Sequence, residues 1–194
     1  MKNTLLISVV VLFLASCSNI SFENSMPQNT ESFNTFPKEL IGTYFDGQKD
    51  TLKIYETCFV YGKLDRSILY MNDTLKKGFV ELKHFNNYYM LNKYNAKTKI
   101  WQIIPFTFNN GEIEVYSANL DKQKEQLRAS GDTTANISTI IEQIEKITPV
   151  KIIDKPGENE IKDYIINPTN KELEELFEQG YFMKTIIFKK IKNK

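Results

Sequence analysis

The feature that most restricts the fold is a series of short apolar and aromatic runs between residues 38 and 118. Turn residues separate these runs at intervals of roughly 8 to 12 positions, a spacing typical of antiparallel sheets. The clearest turn is Asn110-Gly111, since this dipeptide tolerates the positive φ angles of a type I′ hairpin. The sequence therefore predicts a mainly β, α+β fold with an antiparallel meander that closes as a barrel or a sandwich.

Two runs within the meander give finer predictions. The strand "KIWQIIPFTF" is apolar on both faces, so we expect it to be covered on both sides or to be bulged near Pro105. In "TLKIYETCFVYG" the apolar alternation changes parity, which predicts a bulge or a tight hairpin at Glu56-Thr57. If the sheet closes, alternate side chains must fill its interior or line a cavity, and the candidates are Tyr55, Trp101, Ile104 and Phe106.

Residues 119–194 combine helix and strand patterns. Isoleucines recur at helical spacing in "ANISTIIEQIEKI", which predicts an amphipathic helix. A strand is expected after it, at 150–153. In "NPTNKELEELFEQG", Thr169 is expected to cap a second helix that ends near Gly180. The closing "FMKTIIFKKIKNK" predicts a final strand, whose lysines fit a protected sheet edge or a basic docking patch.

The N-terminus carries an apolar run at residues 5–15, preceded by Lys2 and followed by small residues. A membrane-spanning helix needs about 20 apolar residues, so this run is too short to span stably. Its layout is instead that of a cleaved export signal, which predicts that residues 1–16 are a signal peptide.

The motif at the end of this run, Leu14-Ala15-Ser16-Cys17, resembles the lipobox of bacterial lipoproteins. The resemblance implies that Cys17 receives a diacylglyceryl thioether and that its new amino group is acylated, for example with palmitate. An ordinary signal peptide with a chance cysteine is the alternative. Ser18 resembles the sorting residue of outer-membrane lipoproteins, and no acidic cluster follows it. The expected location is therefore the cell envelope, lipid-anchored in the outer membrane and facing the periplasm.

Between the lipobox and the meander, residues 17–36 are rich in Asn, Ser, Thr and Glu and show no helix or strand period. This composition predicts a flexible tether. A single globular domain then spans residues 37–194, with the meander at 38–118 and the mixed portion at 119–194.

Charge and cysteine content restrict the partners. The 25 basic residues nearly balance the 24 acidic ones, and Lys2 is the only charged residue that signal cleavage would remove. A neutral protein has no strong long-range field, so nucleic acid is not an expected partner. If Cys17 is lipidated, only Cys58 remains, and no internal disulfide can form.

The meander opens with "LIGTYF", in which Gly42-Thr43-Tyr44 keeps the spacing of the Gly-x-Trp signature of lipocalins, with Tyr in place of Trp. Because of this spacing, the segment 38–118 resembles the lipocalin-like lipoproteins of Bacteroidota. The resemblance implies a β-barrel with room for a hydrophobic small molecule.

Candidate catalytic groups are scarce. His84 is the only histidine, and no metal-ligand pair occurs at helical spacing, so neither a metal site nor a cofactor is predicted. Glu112 and Glu114 project from one strand face and could form a carboxylate pair. Their alternation with Ile113 and Val115 is equally explained by a strand with one face in water.

Three Asp-Thr pairs resemble the acceptor motif of the O-glycosylation system of Bacteroidota, and ordinary turn chemistry is the alternative. The resemblance implies possible O-glycosylation at Thr51, Thr74 and Thr133.

Two functions remain open. The first is a membrane-anchored, non-enzymatic lipoprotein that binds a hydrophobic small molecule or an envelope protein. The second is an envelope hydrolase with a site around His84.

Overall fold

The computed structural model describes residues 20–47, 50–63, 71–154 and 162–191, so the predicted signal peptide and Cys17 lie outside the described residues. The described chain forms twelve strands, three α-helices and a short 3₁₀ helix at Lys38–Leu40. The strands are β1 Ile20–Phe22, β2 Gly42–Phe45, β3 Thr51–Ile54, β4 Cys58–Tyr61, β5 Met71–Thr74, β6 Val80–Phe85, β7 Tyr88–Asn95, β8 Ile100–Asn109, β9 Glu112–Ser117, β10 Val150–Asp154, β11 Lys162–Ile166 and β12 Met183–Lys190. The α-helices are α1 Leu120–Ala129, α2 Ile137–Glu145 and α3 Asn170–Glu178.

All twelve strands belong to one mixed sheet. The meander runs through β6, β7, β8 and β9 to β12, and from there through β2, β3, β4 and β5, with antiparallel pairing throughout. A smaller wing of β1, β11 and β10 pairs with the start of β8, and β1 is parallel to β11. The mainly β, α+β fold class is thereby confirmed.

The meander does not close. β5 and β6 are the strands that closure would have to pair, and among the described residues only the isolated bridge between Lys76 and Val80 joins this region. The free edge of β6 instead pairs with the N-terminal segment, because Phe33 N donates to Leu82 O at 2.8 Å. The expected closure as a barrel or as two sandwiched sheets is therefore corrected to one open, curled sheet.

The two faces of the sheet have separate hydrophobic cores. The curled meander encloses the first, here called the strand core: Phe36, Leu40, Tyr44, Ile54, Phe59, Tyr61, Val80, Leu82, Leu91, Phe106, Ile113 and Phe188. The other face packs with the wing and the helices in the helix core: Ile20, Phe22, Met26, Met90, Ile103, Leu120, Ile140, Ile141, Ile144, Tyr164, Ile166, Leu173, Leu176, Tyr181 and Phe182.

β8 lies between these two cores. Ile104 packs against the strand core, whereas Ile103 belongs to the helix core. The pairing of β8 with β7 continues without a shift through Pro105. Of the two predicted alternatives, coverage on both sides is confirmed, and it explains why the sequence of this strand is apolar at consecutive positions.

Residues 20–36 are part of the fold rather than a tether. β1 is buried along its whole length, Met26 lies in the helix core, and Phe36 lies in the strand core. The prediction of a flexible tether over residues 17–36 is therefore corrected for its described part. Composition was misleading because the few apolar side chains of this segment are scattered among polar ones without a period, yet nearly all of them are buried.

Local signals in the sequence were more reliable. Asn110 and Gly111 have φ angles of 50° and 82°, as the predicted hairpin requires. Tyr55 N donates to Cys58 O at 2.8 Å, which confirms a tight hairpin at Glu56-Thr57. Thr169 caps α3 with a reciprocal capping box, also as predicted.

Two other elements differ from expectation. The last strand, β12, is not a sheet edge, because it pairs with β9 along its length and with β2 at Lys189 and Lys190. α1 was not predicted, since Leu120 is its only buried residue and it therefore has no apolar stripe to recognise.

Candidate functional site

The curled meander contains an apolar cavity of about 110 Å³. Leu52, Met71 and Ile186 are only half-buried, so the cavity is accessible from solvent on their side. Of the described residues, thirteen line it with their side chains: Phe36, Leu52, Ile54, Phe59, Tyr61, Met71, Leu91, Ile104, Phe106, Ile113, Val115, Ile186 and Phe188.

Strand alternation places these side chains. Ile104 and Phe106 lie two apart on β8, and Ile113 and Val115 lie two apart on β9, so each pair faces the same side of the sheet. Ile104 and Phe106 are two of the four interior residues that the sequence predicts. Of the other two candidates, Tyr55 is exposed and Trp101 packs against the helix core.

The polar atom of Tyr61 is directed to a partner of its own. Its Oη donates to Asp46 Oδ2 at 3.2 Å, and burial together with the Asp46 carboxylate raises the pKa of Tyr61 to about 12. The ring therefore forms part of the wall while its hydroxyl is already hydrogen-bonded. Because water needs two to four polar partners, a cavity of this kind favours apolar occupants.

The size of the cavity restricts its ligand. A dry apolar cavity of roughly 150 Å³ can bind benzene, whereas sites for drug-sized ligands are roughly 300 to 1,000 Å³. At about 110 Å³, this cavity fits one small ring or the end of an alkyl chain. A complete fatty acid would have to extend outside it.

A second, polar groove lies at one end of the meander, next to the turns at 86–87 and 109–110. His84 lies on its wall, exposed at the end of β6, with its ring 5.3 Å from that of Tyr89 in an edge-on contact. Glu112 and Glu114 line the same groove. The structure thus brings together the three groups that the sequence offered for catalysis.

Both carboxylates, however, are paired with lysines of β12. Glu114 accepts hydrogen bonds from Lys184 Nζ at 2.7 Å and from Tyr116 Oη at 3.0 Å, and the Lys184 hydrogen bond is the main reason why the pKa of Glu114 is lowered. Glu112 pairs with Lys189 at 3.2 Å. A general acid must hold a proton near neutral pH, and Glu114 is held in its ionised form. Glu114 therefore lacks the raised pKa that a general acid in glycoside hydrolysis requires.

A buried ionic cluster was not anticipated from the sequence. Lys83 Nζ donates to Ser25 Oγ at 2.6 Å and to Pro27 O at 3.2 Å, and it lies 3.5 Å from Glu81 Oε2. Glu81 also accepts a hydrogen bond from Gly78 N at 2.7 Å. Burial alone would raise the pKa of Glu81, but the hydrogen bonds from Gly78 and Ser25 and the Lys83 charge outweigh it, and the pKa is lowered.

A serine next to a buried lysine raises the question of a Ser-Lys nucleophile. Such a nucleophile needs a neutral lysine that can accept the serine proton. Here Lys83 Nζ is itself the donor to Ser25 Oγ and Pro27 O, and the Ser25 side chain is hydrogen-bonded to Glu81. The cluster therefore fixes the N-terminal segment against β6. No sequence signal identifies the cluster. Glu81 and Lys83 alternate with Val80 and Leu82, and such alternation normally indicates that the charged side chains face solvent.

The predicted modification sites differ in accessibility. Thr74 and Thr133 are exposed, and Thr51 is half-buried in β3. Asp132 accepts hydrogen bonds from Thr134 N and Oγ1 at 3.0 and 2.7 Å, an ordinary turn arrangement that leaves Thr133 on the surface. Glycosylation of these threonines stays a prediction. Cys58 is a free, half-buried cysteine on β4, and the lipid attachment predicted at Cys17 lies outside the described residues.

Metal-binding clusters and membrane-spanning helices are both absent from the described residues. No group of three or more His, Cys, Asp or Glu side chains in this part of the chain is arranged to hold a metal ion. No helix there is long and apolar enough to cross a membrane.

Comparison of the chain with protein-family models, with curated proteins and with solved structures found no match.

Proposed function

We propose that this protein is a lipid-anchored lipoprotein of a bacterial cell envelope, whose curled sheet binds a small hydrophobic molecule or the end of an alkyl chain. The observation that carries the proposal is the cavity in the strand core. The thirteen described side chains that line it are apolar apart from the hydroxyl of Tyr61, which already has its own partner. An apolar cavity that is open to solvent is a typical place for an apolar ligand to bind.

The anchoring part of the proposal is supported by the sequence at Leu14-Ala15-Ser16-Cys17. One acyl chain holds a protein only reversibly, whereas two or more hold it stably. Replacement of Cys17→Ser is expected to abolish labelling with radioactive palmitate and to release the protein from membranes. Unchanged labelling would contradict the anchor without bearing on the cavity.

Binding in the cavity is tested with two neighbouring residues of β12 whose side chains point to opposite sides of the strand. Ile186 lines the cavity, whereas Ile187 is exposed on the other side of the strand. Benzene is expected to raise the melting temperature of the parent protein and of the Ile187→Trp variant. The Ile186→Trp variant should lose this response, because the larger side chain occupies the cavity.

Several results would contradict cavity binding. One is that benzene, at concentrations too low to alter the properties of the buffer itself, does not change the melting temperature of the parent protein. Another is an equal response in the Ile186→Trp variant. If that variant does not fold, the milder Ile186→Phe replacement serves, with Ile187→Phe as its control.

A further inference from the structure

The ordered fold begins close to the predicted lipid attachment site. β1 starts at Ile20, three residues after Cys17. Three residue steps span at most about 11 Å in any conformation. The headgroup layer on each side of a bilayer is roughly 5 to 7 Å thick. If Cys17 carries acyl chains in the bilayer, the start of β1 must therefore lie at or near the headgroups.

The sheet edge next to β1 is apolar and exposed. Ile20 is in register with Tyr164 on β11, and Tyr164 is in register with Ile152 on β10. Adjacent strands are about 4.8 Å apart, so the backbone at Ile152 lies roughly 10 Å from that at Ile20. In the described chain β10 pairs with β11 alone, and its Ile152 and Ile153 side chains are 50% and 49% exposed.

The charged residue that precedes the two isoleucines has a partner of opposite charge. Lys151, which precedes the two isoleucines, forms an ion pair with Glu23 just after β1. The pair is neutral as a whole and joins β10 to the N-terminal segment. A long lysine side chain can also place its ammonium group among headgroups while its methylenes remain in apolar surroundings.

We propose that the β10 edge at Ile152 and Ile153 rests in the membrane leaflet that holds the acyl chains of Cys17. This inference depends on the proposed anchoring and extends it, because it assigns the domain an orientation. Had residues 17–36 been a long tether, the domain could stand clear of the lipid surface. Because β1 is part of the sheet, the domain lies against the membrane. The wing faces the lipid, and the meander lies on the side away from it.

Fluorescence quenching tests the orientation. The lipidated protein carries a tryptophan replacement at the proposed contact, Ile152→Trp, and is placed in phosphatidylcholine vesicles with brominated acyl chains. The matched control is Ile187→Trp, an exposed isoleucine on β12, five strands away from β10 in the sheet order. The signal of the native Trp101, the only tryptophan of the chain, is measured in the parent protein and subtracted.

The added fluorescence of Ile152→Trp is expected to fall to roughly half in brominated vesicles, since side chains at the headgroup and acyl boundary lie within reach of the bromine atoms. That of Ile187→Trp should not change. Equal fluorescence of both variants in brominated and ordinary vesicles would overturn the docking while leaving the anchor intact. Failure of the lipidated protein to float with the vesicles would overturn the anchor and the docking together. If Cys17→Ser protein dimerises and Ile152→Asp prevents it, the edge binds a second copy and the proposal is overturned.

Discussion

Asn92 shows how a single side chain holds the N-terminal segment. It is fully buried, its Oδ1 accepts Met26 N at 2.6 Å, and its Nδ2 donates to Met26 O and Met90 O at 2.8 Å each. The Asn92 amide supplies the hydrogen bonds that a neighbouring strand would otherwise give to the backbone of Met26. A segment whose composition resembles that of a linker can therefore remain buried.

We predict that Asn92→Leu lowers the free energy of unfolding by roughly 2 to 5 kcal/mol, since each backbone group of Met26 that is left unpaired costs about 1 to 3 kcal/mol. Urea denaturation measures the change. Asn87→Ala, at an exposed turn position, is the control and should stay within about 0.5 kcal/mol of the parent. Equal small effects of both replacements would show that the segment is not held by Asn92.

Three tyrosines give a prediction for alkaline pH. Burial, together with the Glu39 carboxylate at Tyr44 and Tyr89 and the Asp46 carboxylate at Tyr61, raises the pKa of each to about 12. Since the folded state favours their neutral form, their contribution to stability is complete below the ordinary pKa of 10.0 and is lost as the pH rises through 12.

Phenolate absorbance should therefore show a late group of tyrosines titrating near pH 12, and Tyr89→Phe should remove one member of it. The free energy of unfolding should fall between pH 10 and 12. Titration of all ten tyrosines together near pH 10 in the folded protein would contradict the burial of these side chains.

At the scale of secondary structure, the elements that could be predicted are those whose signal is local. The hairpin at Asn110-Gly111 and the cap at Thr169 depend on residues next to each other in the chain, and both are present. β1 could not be predicted, because its partners are β11 and β8, more than 70 residues away along the sequence. The prediction that β12 is an edge strand is wrong for the same reason. Its lysines pair with Glu112 and Glu114 on the neighbouring strand, and from the sequence alone they look the same as lysines at a true sheet edge.

Phe22 tests whether β1 is part of the fold. It is 1% exposed, and its ring stacks with Phe182 at 6.5 Å. Phe22→Ala should lower the free energy of unfolding by about 3 to 5 kcal/mol, as is usual for a buried aromatic side chain. A flexible tether would give no change. Phe79→Ala, at a position that is 47% exposed, should cost less than about 1 kcal/mol in the same denaturation assay.

At the scale of the whole molecule, the cavity combines predictable and unpredictable parts. Strand alternation indicates that Ile104, Phe106, Ile113 and Val115 share a face. It does not show whether the sheet closes, because the edge of β6 pairs with Phe33, which is distant in the sequence, and not with β5. The groove near His84 illustrates the same limit: Glu112 and Glu114 could be predicted to share a strand face, but their lysine partners on β12 could not.

The most direct test of cavity binding is methyl NMR of the Cys17→Ser protein titrated with benzene. We expect the shifted resonances to be those of Ile104, Ile113, Ile186 and Leu91, which line the cavity, while the methyl groups of Ile140 and Ile144 in the helix core stay unchanged. Shifts centred on Ile140 and Ile144, or no shifts at any of these methyl groups up to the solubility limit of benzene, would contradict it.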